Sequence, residues 1–573
     1  MKQSISRNNI ITLSKMREYE EKILTLLEKR GADKSICPSE ILEPAEKKDK
    51  VKMELVRAAA KKLASQNKII LTQKGKKIDP QNFKGPIRLK LTEKNSKQKI
   101  NIVWLKKDLR LFDHEALYRA MQDCHQNQSK LMIVYLFEPS IMSYPDFSEM
   151  HLQFIIDSIQ NLNSRLLKFN YQICTFHKDA LEFFKFAKET FKSYELEFFA
   201  HEEIGNQITF KRDIEVRNFL KQLQINFNEY QTNGIIRGKR DKKWHKKWFE
   251  KMSSEVYNPN YQTDVFFPFK ANYLPSIKAN HQLQKGGETS AHYRLKKFFH
   301  AHIMNYRYSL SRPIKAIDHC SRLSPYLAFG NISIRQIYRS ALGQANYLVF
   351  KKDYDAFIDR LLWHCHFIQR FEYFPEIEFK NLNKSFDQIR NKSNPDLHRA
   401  FIDGQTGFPL IDASIRALKQ TGYINFRMRS MLVSFYTHHL FLPWQDIAHF
   451  LAKNFLDYEP GIHYSQIQMQ AGTIGIHTIR IYNPILQSLE KDPKGEFILK
   501  WIPELRNIPK EFIHQPEEIP SLIALSCNFQ IGRDYPFPII DLKKSAKEAR
   551  EKLWAIKKLE TTQIESKKIL KKR

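Results

Sequence analysis

Hydrophobic and polar positions change period several times along the chain. In residues 1–97, MREYEEKILTLLEKRG has the three- and four-residue apolar spacing of an amphipathic helix, and Gly31 stops it. PSEIL is expected to open a second helix with Ser39 as N-cap, and KMELVRAAAKKLASQN a third. KIILTQKG and GPIRLKL follow as two strands around a lysine-rich turn. Three helices and a two-stranded wing make the winged helix-turn-helix order.

From 98 to 230 the pattern alternates. KINIVWL, KLMIVYLFEP, YQICTFH and YELEFFAH are apolar runs of strand length, separated by helical segments such as DALEFFKFAKETF. Such alternation predicts a parallel sheet covered by helices, with ligands at the carboxyl ends of the strands. The sequence contains no GxGxxG or P-loop, so a standard dinucleotide or ATP site is not indicated. Residues 231–285 read as a linker, beginning with the basic stretch GKRDKKWHKKWFEKM and continuing through YNPNYQTDVFFPFKANYLP. Residues 286–540 are mostly helical patterns with polar connections, and 541–573 read as one amphipathic helix running into a basic tail. The expected fold is thus an α/β parallel-sheet domain plus an all-α domain, preceded by a small winged-helix-like α+β domain.

Composition narrows the partners. The chain's 573 residues, 42% of them hydrophobic, suffice for three or four domains of about 100–200 residues. Its formal net charge of +31 favours anionic partners, nucleic acid first. Residues 1–97 carry 24 Lys and Arg against 12 Asp and Glu, which suits either nucleic-acid binding or a protein-contact appendage. The six cysteines are scattered without metal-ligand spacing, so reduced thiols are expected rather than disulfides, zinc or an iron–sulfur cluster. MKQSISRNNIITLSKM lacks a signal-peptide core, and no run approaches the roughly 18 apolar residues of a membrane span. A cytoplasmic monomer without membrane contact is expected, nucleoid-associated if the source is bacterial.

Longer motifs sharpen this picture. KINIVWLKKDLRLFDHEAL, HEEIGNQITFKRD, NGIIRGKRDKKW, GGETSAHYRLKKFF and CSRLSPYLAFGNIS occur in order. FIDGQTGFPLIDASIRALKQTGYINFRMRSMLVSF and RIYNPILQSLEKDPKGEFILKWIPEL follow. Together, over roughly residues 99–558, they resemble the photolyase/cryptochrome family. KRGADKSICPSE and GPIRLKL, outside that span, resemble a small bacterial domain family of unknown function.

The resemblance implies FAD in the helical domain, a flipped-out pyrimidine dimer as substrate, and blue light as the energy source. A second, antenna chromophore of unknown identity is also implied. Cys320, Ser321, Arg322, Leu323 and Ser324 match the flavin-phosphate loop, with cysteine where a hydroxyl residue is usual. Tyr308 matches a flavin-contacting tyrosine, Arg429 and Asp457 the ion pair beside the isoalloxazine, and Glu459 a second carboxylate. Trp363 matches the tryptophan on which the extruded dimer stacks. Arg312, Arg427 and Gln487 match further DNA contacts.

Several positions depart from the family. Arg360 stands where a dimer-binding glutamate is usual, and arginine can only donate. His463 stands where an asparagine faces flavin N5, which suggests a group titrating near neutral pH. Trp444 matches the middle of a three-tryptophan electron chain, but Ile467 and Asn391 replace its ends, leaving Tyr458, Tyr464 or Tyr482 as substitutes. Phe426 replaces a DNA-contacting asparagine, and QIQMQAG an aromatic segment. The expected function is a light-driven DNA photolyase. The alternatives are a cryptochrome-like photoreceptor and a light-independent DNA-binding flavoprotein.

Overall fold

The computed structural model describes residues 7–31, 34–66, 68–92, 97–238 and 241–571. Lys239 and Arg240 of the basic stretch, Lys572 and Arg573 of the tail, and residues 1–6 lie outside these. Residues 1–100 with 191–195 form one compact unit, and residues 101–190 with 196–573 a second.

In the smaller unit, helix α1 spans Arg7–Arg30 and ends at Gly31, whose φ of +90° suits a residue without Cβ. PSEIL does not form a helix. It makes a single 3₁₀ turn, Pro38–Glu40, whose N-cap is Cys37 rather than Ser39, and Glu40 accepts a 2.7 Å hydrogen bond from the Cys37 N–H. Pro44 stops propagation, because proline disfavours helical geometry in the residue before it. Helix α2, Lys50–Ser65, is capped by Asp49, which accepts hydrogen bonds from the Val51 and Lys52 N–H groups. Strands β1 (Ile69–Gln73), β2 (Lys76–Lys77) and β3 (Arg88–Leu91) form an antiparallel sheet in the order β2-β1-β3. Ile23, Leu27, Val56, Leu63, Leu71 and Leu89 fill the core. The winged-helix order therefore persists with its middle helix reduced to turns.

The larger unit opens on a five-stranded parallel sheet. Its strands are β4 (Lys99–Leu105), β5 (Lys130–Leu136), β6 (Cys174–Phe176), β7 (Glu195–His201) and β8 (Asn226–Tyr230), in the order β6-β5-β4-β7-β8. Helices α3 (Glu115–Asn127), α4 (Glu149–Leu166), α5 (Ala180–Thr190) and α6 (Gln207–Gln222) alternate with the strands. Burial from both sides explains the unbroken apolar runs of β4 and β5. The strand order reverses between β4 and β7, which creates a crevice at their carboxyl ends.

The stretch read as a linker contains helix α7, Trp244–Ser253. Its tryptophans are core residues: Trp244 and Trp248 are buried, and Trp244 Nε1 donates to the Gly234 carbonyl at 3.0 Å. The lysines between them take the outer face.

Helices α8 (Glu288–Lys297), α9 (Ser324–Ala328), α10 (Lys351–Tyr373), α11 (Pro409–Thr421), α12 (Phe426–Ser434), α13 (Trp444–Asn454) and α14 (Pro460–Ala471) build the all-α part. Helices α10 and α14 pack unusually close, since a Cβ on Gly461 would lie 2.7 Å from Ile368 Cα. The C-terminal segment is two helices, α15 (Leu542–Lys558) and α16 (Glu560–Lys571), instead of one. Leu559 leaves helical geometry, with ψ at 138°. All six cysteines are free thiols. Among the described residues, no helix is long and apolar enough to cross a membrane.

Candidate functional site

A cavity of about 300 Å³ lies among the helices of the larger unit. Helical period explains its walls. Arg360, Trp363, His364 and Phe367 form one stripe of α10, and Phe426, Arg429, Ser430 and Val433 one stripe of α12. Ile462, His463, Gln466, Ile467 and Gln470 line it from α14.

The 320–324 loop closes one side. Cys320, Ser321, Arg322 and Ser324 reach the cavity, whereas Leu323 is buried behind the loop as the N-cap of α9. Burial pushes the Cys320 thiol up to about 12, so it stays protonated. Arg322 takes a positive φ of 54° and lays its guanidinium 3.6 Å from the Tyr423 ring centroid. Burial lowers its pKa, and its Nε has no hydrogen-bond partner. Among the described residues Arg322 has no ion-pair partner. Arg322 is half-buried with its Nε fully buried, and a cation held partly out of water without a carboxylate partner is disfavoured, so this loop favours an anion against it.

Opposite, Arg429 donates two hydrogen bonds of 2.9 Å to the Asp457 carboxylate and stacks 4.2 Å from the Phe455 centroid. Burial opposes the charge on Asp457, but Arg429 outweighs it and holds the carboxyl below its ordinary range. Glu459 has no such partner. Burial pushes it up to about 7 against the pull of Lys107.

His463 corrects the expectation of a group titrating near neutrality. Burial lowers its pKa to about 3, so it is neutral across the physiological range. Its Nε2 lies 2.9 Å from the Ala448 carbonyl, which can only accept. Nε2 therefore carries the proton, and Nδ1 is left as an acceptor.

His364 Nε2, Asn425 Oδ1 and Gln466 Oε1 are also buried without partners, and all three residues line this cavity. Each orphaned atom costs about 1–3 kcal/mol. Their concentration with Arg322 Nε on one set of walls marks a site for a polar ligand that offers donors to the amide oxygens and an acceptor to Arg322. At the mouth, Trp363 is 51% exposed and Phe426 38%, with the Arg360 guanidinium 5.4 Å from the Phe426 centroid.

Other expected residues lie elsewhere. Tyr308 is 54% exposed and off the cavity wall, its ring beneath Arg312 at 4.4 Å and Lys315 at 4.9 Å. Tyr306 is buried and lines the cavity instead. Positions two apart on a helical turn point to nearly opposite sides, which explains the exchange. Arg427 donates to the Tyr482 hydroxyl at 2.9 Å, and Gln487 Oε1 is buried and unpaired. Trp444 is buried away from the cavity and donates to Asn381 Oδ1 at 2.8 Å. Ring contacts of 5.1 to 6.4 Å link Tyr458, His463, Tyr464 and Trp444, while Ile467 lines the cavity and Asn391 is exposed. Tyr306, His364, Tyr423, Asn425 and Gln466 escaped sequence reasoning. For His364 and Gln466, the stripes through Trp363 and Ile462 were the available signal.

A second cavity of about 110 Å³ sits at the sheet's crevice. Trp104, Glu138, Glu203 and Arg212 line it, and Arg212 bonds Glu138 at 2.7 Å and Glu203 at 2.6 Å. Tyr458 lines both cavities and donates to Asp146 at 2.7 Å. Nearby, Asp108, His114 and His201 bring metal-ligand atom types together. Their hydrogen bonds argue against a metal: His114 Nδ1 accepts the Leu117 N–H, so its Nε2, 3.0 Å from Asp108, carries the proton.

Most of the segments that build these walls fall within a known family. The family described as the FAD binding domain of DNA photolyase matches residues 357–555, and the DNA photolyase family matches residues 101–246. The chain belongs to the photolyase/cryptochrome family. Residues 16–92 match a third family, described as a protein of unknown function (DUF3253). The deoxyribodipyrimidine photo-lyase of Buchnera aphidicola subsp. Acyrthosiphon pisum is 28% identical over 473 residues, covering 78% of this chain and 95% of its own. The cryptochrome DASH of Synechocystis sp. is 28% identical over 492 residues, covering 79% and 97%. The fold is that of a bacterial class III photolyase from Agrobacterium tumefaciens, with a TM-score of 0.70 over 81% of this chain and 98% of that one, at 24% identity. Photolyases and cryptochromes thus both stand among the relatives, and they do not separate repair from light sensing.

Proposed function

We propose that this family member holds FAD in the helical cavity and splits pyrimidine dimers in DNA under blue light. The observation that carries the reading is the pairing of a half-buried cation without a carboxylate partner, Arg322, with an exposed aromatic mouth at Trp363. Arg322, Ser321 and Ser324 would hold the pyrophosphate, and Arg429, fixed by two hydrogen bonds to Asp457, would lie beside the ring system. Neutral His463 would accept a hydrogen bond from a ring N–H through Nδ1. When bound and reduced, FAD supplies the light-excited electron. The chain's own work is to orient and exclude water: Trp363 stacks an extruded base, Phe426 packs beside it, and Arg360 stabilises negative charge there. Arg312, Arg427 and Gln487 would hold the flanking backbone. The domain limits 98–230 and 286–540, a monomer, and an antenna group in the crevice cavity belong to the same reading.

The test is blue-light illumination of reduced, flavin-loaded protein with oligonucleotides carrying defined pyrimidine dimers, single- and double-stranded, read by chromatography. Loss of dimers that is abolished in the dark is expected, and Trp363→Ala lowers it at least tenfold, roughly one stacking interaction. Intact dimers on every substrate would contradict it. Arg360, which cannot accept a proton or a hydrogen bond where the family places a glutamate, favours the second reading, a cryptochrome-like photoreceptor. That reading expects bound FAD, no repair and a light-dependent change of partner binding.

A further inference from the structure

Helix α15 buries Ala549 and Leu553 on one face. Beside that face, Lys543, Lys547, Arg550, Trp554 and Lys557 recur at alternating spacings of four and three, which places them on one stripe. The first four are exposed, and Trp554 is 41% exposed. Glu548 and Glu551 fall at other angles of the helix, so the stripe holds four cations, an indole and no carboxylate. At a rise of 1.5 Å per residue it runs about 21 Å.

The middle of the stripe forms one wall of an open cleft of about 510 Å³. Arg550 and Trp554 face Arg427, Arg480 and Tyr482 across it, with Ile479 and Ile481 at its floor. Arg427 Nε is buried without a partner, and its guanidinium lies 5.4 Å from the Tyr482 centroid. No acidic side chain lines the cleft. Three arginines line one cleft with no carboxylate beside them, and only Arg427 has a partner across it, the Tyr482 hydroxyl at 2.9 Å, so like charges are gathered without a counter-charge. Phe426, the neighbour of Arg427, lines the mouth of the helical cavity.

We propose that this cleft and stripe bind a single-stranded segment of nucleic acid leading away from the cavity mouth. Arg427, Arg480 and Arg550 take backbone phosphates, and Lys543 and Lys547 extend the contact along α15. Lys557 lies 5.0 Å from the Trp554 centroid and donates to the His477 carbonyl at 3.1 Å, so an unpaired base stacks on the other face of Trp554. A basic groove with an exposed aromatic platform suits a single strand, because a duplex keeps its base faces stacked on one another. The proposal rests on DNA being the substrate, and it specifies which form of DNA the chain prefers beside the lesion.

Fluorescence anisotropy of the full chain in the dark, with an undamaged oligothymidine and a duplex of equal length, tests it. Trp554→Ala weakens binding of the single strand at least about fivefold, while Trp554→Phe keeps it. Arg550→Ala flattens the dependence of log affinity on log salt by about 0.7. Duplex affinity changes less than about twofold in Trp554→Ala, as expected for a contact made only by stacking. Thermal unfolding of each variant confirms that α15 still packs. Unchanged single-strand binding in both alanine variants would overturn the proposal, and so would an equal loss on duplex. Undamaged DNA in the dark involves no repair, so failure here leaves the photolyase reading intact, and failure of repair leaves this result standing.

Discussion

Arg322 and Arg429 are cations on two walls of one cavity, but only Arg429 has a carboxylate partner. Arg322→Ala should therefore lose bound flavin, with the 450 nm to 280 nm absorbance ratio falling at least about tenfold, in line with a lost charge-assisted contact. Retention of full flavin content would exclude Arg322 from the site. Asp457→Asn should act indirectly, by leaving Arg429 unpaired. Glu459 makes a pH prediction for flavin-free protein. Its folded pKa, about 7, exceeds the ordinary carboxyl value, so the folded state holds a proton that the unfolded state releases. The contribution of Glu459 to stability is then greatest below pH of about 4, falls as pH rises to about 7, and is flat above. Glu138, also raised to about 7 by burial against Arg212, adds the same slope. Glu459→Gln should remove one share of it, up to about 3 kcal/mol, as measured by denaturant unfolding between those limits. An unchanged slope would mean that Glu459 is ionised in the fold. His463, with a pKa of about 3, should show no imidazole titration by NMR between pH 5 and 8, and a midpoint inside that range would contradict its burial.

Among the elements, the close approach of α10 and α14 sets the width of the cavity. Gly461→Ala places a Cβ against the backbone of Ile368, which cannot give way as a side chain end would. The variant should lose about 1–3 kcal/mol of stability and part of its flavin, by thermal unfolding and absorbance. A wild-type melting temperature would mean that the helices can separate freely. The same elements show what was legible in the sequence. Strands β4 and β5, buried on both faces, announced themselves as KINIVWL and KLMIVYLFEP. The α7 tryptophans misled, because lysines on the outer face of a helix look like a basic linker until the inner face is seen. PSEIL misled because Ser39 resembles an N-cap while Pro44 leaves no room for a helix. Arg429, Asp457 and Glu459 were found from long motifs, but Tyr306 was displaced to Tyr308 by two residues within one short turn. The orphaned atoms of His364, Asn425 and Gln466 come from segments distant in the chain, so only the fold could gather them.

At the scale of the molecule, a net charge of +31 sets how the chain meets DNA. On the proposed reading, arginines at the cavity mouth and along the cleft would make phosphate contact the main source of affinity, whatever the sequence bound. Duplex affinity should fall at least about tenfold between about 50 and 200 mM salt. A flat salt response would mean that the basic residues are solvated surface only. The smaller unit has its own core and matches a family of unknown function, and none of the residues argued to hold FAD belongs to it. The central claim is that the helical cavity is a flavin site, and the spectrum of protein purified in the dark tests it most directly. The account predicts flavin absorption near 450 nm, with the chromophore released by heat identified by mass as one FAD per chain and absent from Arg322→Ala. A folded chain that carries no flavin and takes none up from added FAD would contradict it.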